Sequence, residues 1–298
     1  PIEFSSNDYL GIVKNGLLSN DQLQQLKSGS TGSRLLSGTY EMIEECEQLI
    51  GRFHEAEAGL IFNSGYDANI GLLSCIARRG DSIIYDHLSH ASIRDGIRLS
   101  FASSFSFHHN DIKDLEKKLQ TAPGNRFVVT ESVFSMDGDK APLNEIMALC
   151  KRYKANLIID EAHATGVIGD KGEGLAQALN LHHQCFARVH TFGKAVGCHG
   201  AITLGSKNLR DYLVNFSRPF IYSTAMPEAS VYHIQSSYKI FPDLKEERKK
   251  LHALTQIFQE SKLKHEKLDS YTPIQGIVVP GNEHVKTVAA KLHQNGFD

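Results

Sequence analysis

The sequence lacks the features that mark several large functional classes. Its 298 residues carry a formal net charge of only −2, which argues against a nucleic-acid or membrane-surface footprint. No apolar run approaches the ~20 residues that a membrane-spanning helix needs. No segment has the pattern of a secretory signal peptide. The 41% hydrophobic content is that of an ordinary globular protein.

The cysteines also lack a recognisable pattern. There are five, and none forms a CxxC pair with another. An odd, scattered set is typical of reduced thiols, so we predict a cytoplasmic protein. The chain begins at Pro1 and ends at Asp298 just after a helix-like stretch, and we expect it to be part of a longer protein.

Two motifs of nucleotide and metal chemistry are incomplete. Residues 160–163 spell Asp-Glu-Ala-His, which in helicases accompanies a phosphate-binding loop of the form GxxxxGK[ST]. Here Lys194 precedes Ala195, and the upstream glycine is absent. The histidine pairs at 108–109 and 182–183 lack the i, i+4 spacing of two ligands on one helix face. We therefore predict neither an ATPase nor a metal site.

Short apolar stretches alternate with amphipathic ones along most of the chain. This alternation predicts an α/β fold with a mostly parallel sheet covered by helices on both faces. The predicted strands are 60–62, 82–85, 105–108, 126–130, 157–159, 189–191, 201–204 and 271–280. The main predicted helices are 21–27, 41–53, 70–78, 112–120, 142–154, 208–214, 227–240, 242–265 and 285–294, with a further helix opening after residues 87–92. We predict an N-terminal segment (1–28), a large domain (29–228) and a smaller, incomplete C-terminal α/β domain (229–298).

Polar residues follow several of the predicted strands. Asn63, Ser135, Asp160 and Thr191 all stand at strand ends. Because ligands of open α/β sheets bind at the carboxyl ends of strands, these residues predict a single site.

One lysine and one acid have the surroundings that pyridoxal phosphate (PLP) requires. Lys194 stands among small and hydroxylated residues, which favours a confined pocket where desolvation lowers its pKa and frees the amine to form an imine. Asp160 ends a buried strand and would keep a pyridine nitrogen protonated. In this interpretation His90 stacks on the ring, and His163 and Ser135 hydrogen-bond its oxygen.

Two loops allow more than one interpretation. Residues 29–40 are rich in Gly, Ser and Thr, and form either a flexible linker or a packed active-site loop; the apolar residues and the helix that follows favour the packed loop. The turn Ser64-Gly65-Tyr66 is either a plain helix N-cap or a phosphate site.

The ordered series of motifs resembles the α-oxoamine synthases, a branch of the fold-type I PLP-dependent enzymes, over nearly the whole chain. The matching motifs are Asn7-Asp8-Tyr9-Leu10-Gly11, Gly38-Thr39, Gly65-Tyr66, His90-Ala91-Ser92, residues 135–139, residues 160–163 and Thr191-Phe192-Gly193-Lys194. Within this family, the lysine motif followed by Cys198-His199-Gly200-Ala201 is most similar to the branch that makes 8-amino-7-oxononanoate for biotin biosynthesis.

The resemblance implies a role for each matched residue. Lys194 would bind PLP as an imine and remove the Cα proton, Asp160 would pair with the ring nitrogen, and His163 and Ser135 would contact the ring oxygen. His90 would stack on the ring and orient the acyl donor. The remaining implied contacts are to the cofactor from Ser64, Gly65, Tyr66 and Thr191, to the phosphate of a neighbouring subunit in a homodimer from Ser223 and Thr224, and to the substrate from Asn7.

The implied reaction is a C-acyl transfer. L-alanine would condense with a pimeloyl thioester, on coenzyme A or a carrier protein, and lose carbon dioxide to give 8-amino-7-oxononanoate. The resemblance places the substrate-carboxylate arginine in a C-terminal segment beyond Asp298. Other branches, 2-amino-3-ketobutyrate ligase and serine palmitoyltransferase, are alternatives. A catalytically silent partner subunit is a further alternative. Such subunits typically lose the cofactor-binding lysine, whereas this chain has Lys194 at that position.

Overall fold

A seven-stranded sheet forms the centre of the fold, and the computed structural model describes residues 2–298. The strand order is β1-β7-β6-β5-β4-β2-β3. Only β7 runs antiparallel to its neighbours, β1 and β6, so the prediction of a mostly parallel sheet is confirmed. The strands are β1 (Ala58–Phe62), β2 (Ser82–Asp86), β3 (Ser103–Phe107), β4 (Arg126–Glu131), β5 (Asn156–Asp160), β6 (Ala187–Thr191) and β7 (Ala201–Gly205).

The central strands are apolar on both faces. Val128 and Val129 in β4, and Ile158 and Ile159 in β5, are at most 1% exposed although neighbouring side chains point to opposite sides. A parallel strand covered by helices on both faces has this continuous apolar pattern. The seven strands predicted up to residue 204 are therefore all present, each starting within two residues of its predicted start.

Helices cover both faces of the sheet. They are α1 (Glu41–Phe53), α2 (Gly65–Ile76), α3 (Ala91–Leu99), α4 (Ile112–Thr121), α5 (Leu143–Arg152), α6 (Leu175–Ala178), α7 (Lys207–Phe216), α8 (Arg218–Tyr222), α9 (Glu228–Ile240), α10 (Lys245–Glu260) and α11 (Asn282–Gln294). Leu72 of α2 packs in one apolar core with Ile158, whereas Ile146 of α5 packs in another with Ile159. A third core joins α1 and α9 to β7. Within the described residues, no helix is both long and apolar enough to cross a membrane.

Helix α2 begins earlier than predicted. The sequence predicts a helix over 70–78, whereas α2 starts at Gly65. The Ser64 hydroxyl accepts a hydrogen bond from the Asp67 N–H, which caps the helix at that point. This earlier start places the first turn of α2 directly at the end of β1.

Three other predictions were wrong. The helix predicted over 21–27 is only a short 3-10 turn (Leu23–Gln25), and the predicted loop 218–227 contains the helix α8. The strand predicted over 271–280 is absent from the described chain, apart from an isolated bridge between Lys267 and Ile277. There, the amide of Gln275 donates to the carbonyls of Ser270 and Thr272, so side chains satisfy backbone acceptors that a sheet would use.

The loop over 29–40 is packed, as expected, but against the scaffold. The guanidinium of Arg34, 7% exposed, pairs with Glu47 of α1 at 2.5 Å, and the Thr39 hydroxyl donates to the Arg34 carbonyl. Glu47 also accepts the N–H of Ile61 in β1. The loop is thus tied to α1 and β1, and the flexible-linker interpretation is wrong.

Candidate active site

A cavity of about 480 Å³ opens at the carboxyl ends of β4, β5 and β6. The first turns of α2 and α3 form its opposite wall, as expected for a ligand site in a parallel sheet. The predicted site residues that line this cavity are Asn7, Ser64, Gly65, Tyr66, His90, Ser135, Asp160, His163, Thr191 and Lys194.

The carboxylate of Asp160 is held rigidly at the end of β5. It is 5% exposed, and its Oδ2 accepts the side-chain amide of Asn69 at 2.7 Å while its Oδ1 accepts the Ala162 N–H at 2.9 Å. Asn69, on α2, also donates to the hydroxyl of Ser92 at 3.0 Å. Donors on both oxygens hold the carboxylate in a fixed orientation at the cavity.

The amine of Lys194 lies in the same cavity, in the loop after β6. Burial lowers the pKa of Lys194, and the carboxylates of Asp160 and Glu131 only partly oppose this effect. The direction agrees with the prediction from its small neighbours. A lowered pKa increases the share of neutral amine, which is the nucleophilic form.

A second buried carboxylate, missed in the sequence, lies beside Asp160. Glu131 ends β4 and pairs in register with Asp160 of β5. Its Oε1 accepts the backbone N–H of His90 at 2.6 Å. Burial, followed by the charge of Asp160, raises the pKa of Glu131. Like Asp160, Glu131 ends an apolar strand, so the same sequence pattern could have identified it as a site residue.

The imidazole of His163 is neutral over the physiological pH range. Burial, then the charges of Lys194 and His90, lower its pKa to about 3. Its Nδ1 lies 2.9 Å from the hydroxyl of Tyr9, which also lies 3.0 Å from Oδ1 of Asn7. This chain of contacts fixes the ring and leaves its Nε2 for other partners.

The turn at Ser64 is a helix N-cap, as one of its two interpretations predicts, and it also leaves two backbone donors free within the described chain. The Ser64 hydroxyl caps α2, yet the N–H groups of Gly65 and Tyr66 have no acceptor within residues 2–298. A Cβ on Gly65 would lie 2.5 Å from Cγ2 of Thr191, so the close approach requires glycine. The turn therefore brings two free N–H donors to the cavity, as an anion site requires.

Three residues singled out in the sequence do not line this cavity: Asn63, Ser223 and Thr224. The amide of Asn63 donates to the carbonyl of Thr224 at 2.9 Å, and Thr224 forms an isolated bridge with Ser33. The loop over 29–40 also contributes nothing to the lining.

Several lining residues were not predicted. Asn69 lies one turn after Gly65 on α2, a spacing that puts both on one helix face. His199 belongs to the motif that follows Lys194. The full set of unpredicted lining residues is Asn69, Ser92, Glu131, Ala162, Gly193, His199 and Gly200.

Comparison with known proteins gives a consistent result. The family model described as "Aminotransferase class I and II" matches residues 1–292. A putative 8-amino-7-oxononanoate synthase of Bacillus licheniformis is 43% identical over 263 residues, 87% of this chain and 69% of the relative. An 8-amino-7-oxononanoate synthase 2 of Bacillus subtilis strain 168 is 40% identical over 303 residues, 99% of this chain and 77% of the relative.

Solved structures agree with the sequence relatives. A serine palmitoyltransferase of S. paucimobilis, solved with bound PLP, matches with a TM-score of 0.93 and 29% identity over 99% of this chain and 79% of that chain. The 8-amino-7-oxononanoate synthase of Francisella tularensis matches with a TM-score of 0.85 and 26% identity over 99% and 86%. The chain therefore belongs to the aminotransferase class I and II family, in its PLP-dependent α-oxoamine synthase branch.

Proposed function

We propose that the chain uses PLP to condense L-alanine with a pimeloyl thioester, giving 8-amino-7-oxononanoate, coenzyme A or free carrier protein, and carbon dioxide. The observation that carries this proposal is that Lys194 and Asp160 line one cavity, in a chain about 40% identical to relatives named for that product. The serine palmitoyltransferase match with bound PLP supports the cofactor.

The cavity fits this cofactor. Its free N–H groups at the start of α2 suit a phosphate, and glycine at position 65 lets this turn lie against Thr191, where a Cβ would clash. The fixed carboxylate of Asp160 suits a protonated pyridine nitrogen, and Lys194 is an amine with a lowered pKa. PLP supplies an electron-withdrawing ring that stabilises negative charge on the α-carbon of the bound amino acid.

The residues of the chain hold and move protons in this scheme. Asp160 would hold the proton on the ring nitrogen, because its own oxygens are already oriented by Asn69 and Ala162. Lys194 would hold the cofactor and, as a neutral amine, would take the α-proton of the amino acid. His163, neutral and anchored by Tyr9, presents Nε2 to the ring oxygen.

Ser135 and His90 complete the ring contacts in this proposal. The side chain of Ser135 is half-buried in the cavity wall, where its hydroxyl suits the same ring oxygen as His163. The exposed imidazole of His90 caps α3 through Ser92, and its backbone is fixed by Glu131. Thr191 is proposed to bind the phosphate, and Asn7 the substrate.

A homodimer is part of the proposal. Ser223 and Thr224 lie outside the cavity of their own chain, and Thr224 is exposed, so both are available to the phosphate of a partner subunit. Sedimentation velocity tests the dimer, and replacing both residues with alanine should weaken phosphate binding without unfolding the chain. A cytoplasmic location and the division at residues 28 and 228 stay predictions.

The experiment is an absorbance titration of the PLP-loaded protein with L-alanine, glycine and L-serine, each with and without pimeloyl-CoA. D-alanine is the matched control. We expect L-alanine to shift the cofactor band most readily, and mass spectrometry to find 8-amino-7-oxononanoate only when the thioester is present. Absence of both results would contradict the proposal.

A serine palmitoyltransferase activity is the second candidate, because the structural match with that enzyme has a TM-score of 0.93. Preference for serine and a palmitoyl thioester in the same titration would favour it, and preference for glycine would favour the 2-amino-3-ketobutyrate ligase branch. A silent partner subunit would show no cofactor colour at all.

A further inference from the structure

A histidine behind the cavity is held between two carboxylates. His109 lies in the loop between β3 and α4, and its Nδ1 is 3.0 and 3.1 Å from the two carboxylate oxygens of Asp86. Its Nε2 is 2.8 Å from Oδ2 of Asp139. Asp86 is fully buried, the His109 side chain is 20% exposed, and the ring packs edge-on against Phe134 at 4.4 Å. None of these four residues lines the cavity.

The other groups that contact these two carboxylates are also hydrogen-bond donors. Asp86 accepts the N–H of Leu88 at 2.9 Å and the N–H of Asn110 at 2.9 Å. Asp139 accepts the side-chain amide of Asn110 at 2.7 Å. Nε2 of His109 also lies 3.3 Å from the amide nitrogen of Asn110, but its contact with Asp139 is shorter, at 2.8 Å. Since ionised carboxylates only accept, both ring nitrogens donate to their nearest partners, and only the imidazolium carries two N–H groups.

The charges around the ring favour that form. Burial lowers the pKa of His109, but hydrogen bonds from the ring to Asp139 and Asp86 outweigh this effect and raise it to about 10. A carboxylate oxygen of Asp137 lies within 4.8 Å, and the His87 ring lies 6.2 Å away. Because the folded-state pKa exceeds the ordinary ~6.5, the charge persists at neutral pH and is lost only as the pH approaches 10.

The two carboxylates belong to the two loops that carry cavity residues. Asp86 ends β2, and its carbonyl accepts the Ser89 N–H at 2.9 Å, which orders the segment leading to His90. Asp139 closes the turn after β4 that contains Ser135. The ring of His109 is therefore a bridge between these loops.

We propose that His109, as an imidazolium, is a positioning residue that fixes Ser135 and His90 in the cavity wall through Asp139 and Asp86. This inference rests on the proposed function only in assigning those two side chains to the cofactor. Loss of the ring proton, or of the ring, leaves one carboxylate facing an acceptor or an empty space. The link between the turn over 132–140 and the segment over 86–90 is then weakened, with Asn110 still contacting both carboxylates.

The charge state is tested by NMR of the full chain labelled with ¹⁵N-histidine. The His109 signals are assigned as those lost in His109→Gln. We expect both ring nitrogens to stay protonated at pH 8.5, where an ordinary histidine is neutral. A neutral His109 ring at pH 8.5 would overturn the proposal.

The positioning role is tested by hydrogen exchange and cofactor affinity. In His109→Gln, we expect faster exchange in peptides covering 132–140 and 86–90, and PLP affinity lowered on the order of tenfold, the cost of one charge-assisted hydrogen bond. His108→Gln is the matched control, because the His108 side chain is 81% exposed and its Nδ1 pairs with Asp114, which is neither of the two carboxylates that hold His109. Equal exchange and affinity in both variants would contradict the role.

A second variant keeps the test decisive if His109→Gln fails to fold. Asp139→Asn retains an acceptor for Nε2 but removes one charge, so we expect faster exchange confined to 132–140 and a smaller loss of affinity. Unchanged exchange in Asp139→Asn would overturn the proposal. The NMR and exchange experiments need no cofactor, so their failure is distinct from a failure of the wild-type protein to bind PLP or form product.

Discussion

Two polar clusters lie on opposite sides of β6, and they differ in the open space that they surround. The cavity cluster consists of Lys194, Asp160, Glu131 and His163, and it surrounds a volume of about 480 Å³. The sealed cluster consists of His54, His190, Arg188 and Tyr238, all at most 4% exposed. Because neighbouring residues of a strand point to opposite faces, His190 belongs to the sealed cluster while Thr191 lines the cavity.

The members of the sealed cluster contact one another in the core. The ring centroids of His54 and His190 lie 3.9 Å apart with the rings tilted by 36°, Nε2 of His54 contacts the Tyr238 hydroxyl at 3.0 Å, and Arg188 donates to the His54 carbonyl at 2.6 Å. Burial lowers the pKa of both histidines far below the ordinary range. Both clusters therefore contain desolvated titratable groups. The cavity cluster differs because it also has open volume beside a lysine and two fixed acids, and this is what marks it as a site.

The largest effect is expected from Lys194→Ala. Without the amine, the chain cannot bind PLP covalently or remove the α-proton, so turnover and the bound-cofactor absorbance should both disappear. Far-ultraviolet circular dichroism should stay unchanged. Lys207→Ala, at an exposed position of α7, is the control. A Lys194→Ala protein that keeps both the colour and the turnover would refute the assignment of the site.

Asp160→Asn should be nearly as damaging. A carboxamide has a single acceptor oxygen, so either Asn69 or Ala162 would then face another donor, and the charge on the ring nitrogen would be lost. We expect turnover to fall by about 100-fold or more, with weaker cofactor retention. Steady-state kinetics and dialysis measure both, with Asp211→Asn on α7 as the control. Near-normal turnover would argue against Asp160 as the ring partner.

The strands of the sheet can be predicted from the sequence, but the hydrogen bonds that orient the site residues cannot. Apolar runs such as 157–159 identify buried strands, and polar residues at their ends identify the cavity, because both follow from local pattern. Glu131 has the same pattern as Asp160, and what separates them is the number of donors each receives after folding. That number depends on Asn69, which a helix brings to Asp160 across 91 positions of sequence.

The errors have similar causes. The pattern over 271–280 resembles a strand, but Gln275 takes over the carbonyl groups that a ladder would use. The sealed cluster could not be predicted either, since His54, just after α1, and His190, in β6, are far apart in the sequence and meet only in the folded chain. Local pattern thus determines which segments are buried, and tertiary packing determines which side chains share a partner.

A pH experiment sharpens the comparison of the clusters. The folded-state pKa of His163 is about 3, below the ordinary ~6.5, so this residue contributes stability that is present above pH 6.5 and is lost as the pH falls. His54 and His190 contribute in the same direction, and the raised pKa of Glu131 acts in the opposite one.

The test therefore compares wild type with a His163 variant, because both proteins keep the other titratable groups. Between pH 6 and 5, the free energy of unfolding of His163→Gln should change less steeply than that of wild type, by up to ~1.4 kcal/mol per pH unit. Urea denaturation at each pH measures this slope. His87→Gln, whose side chain is 47% exposed, should keep the wild-type slope. Identical slopes in wild type and His163→Gln would show that His163 is not desolvated.

The smallest effect is expected from Tyr9→Phe, which removes a hydroxyl and keeps the ring. The hydroxyl contacts Nδ1 of His163 at 2.9 Å and Asn7 at 3.0 Å, so its loss frees the imidazole to rotate or change tautomer. We expect kcat to fall a few-fold with little change in KM, and stability to fall by about 1 kcal/mol. Tyr40→Phe is the matched control, because it loses a hydrogen bond of 2.7 Å to the Met226 carbonyl outside the cavity. A similar stability loss in both variants, with a rate loss only in Tyr9→Phe, would show that the Tyr9 hydroxyl orients His163; equal rates in the two variants would reduce Tyr9 to a packing residue.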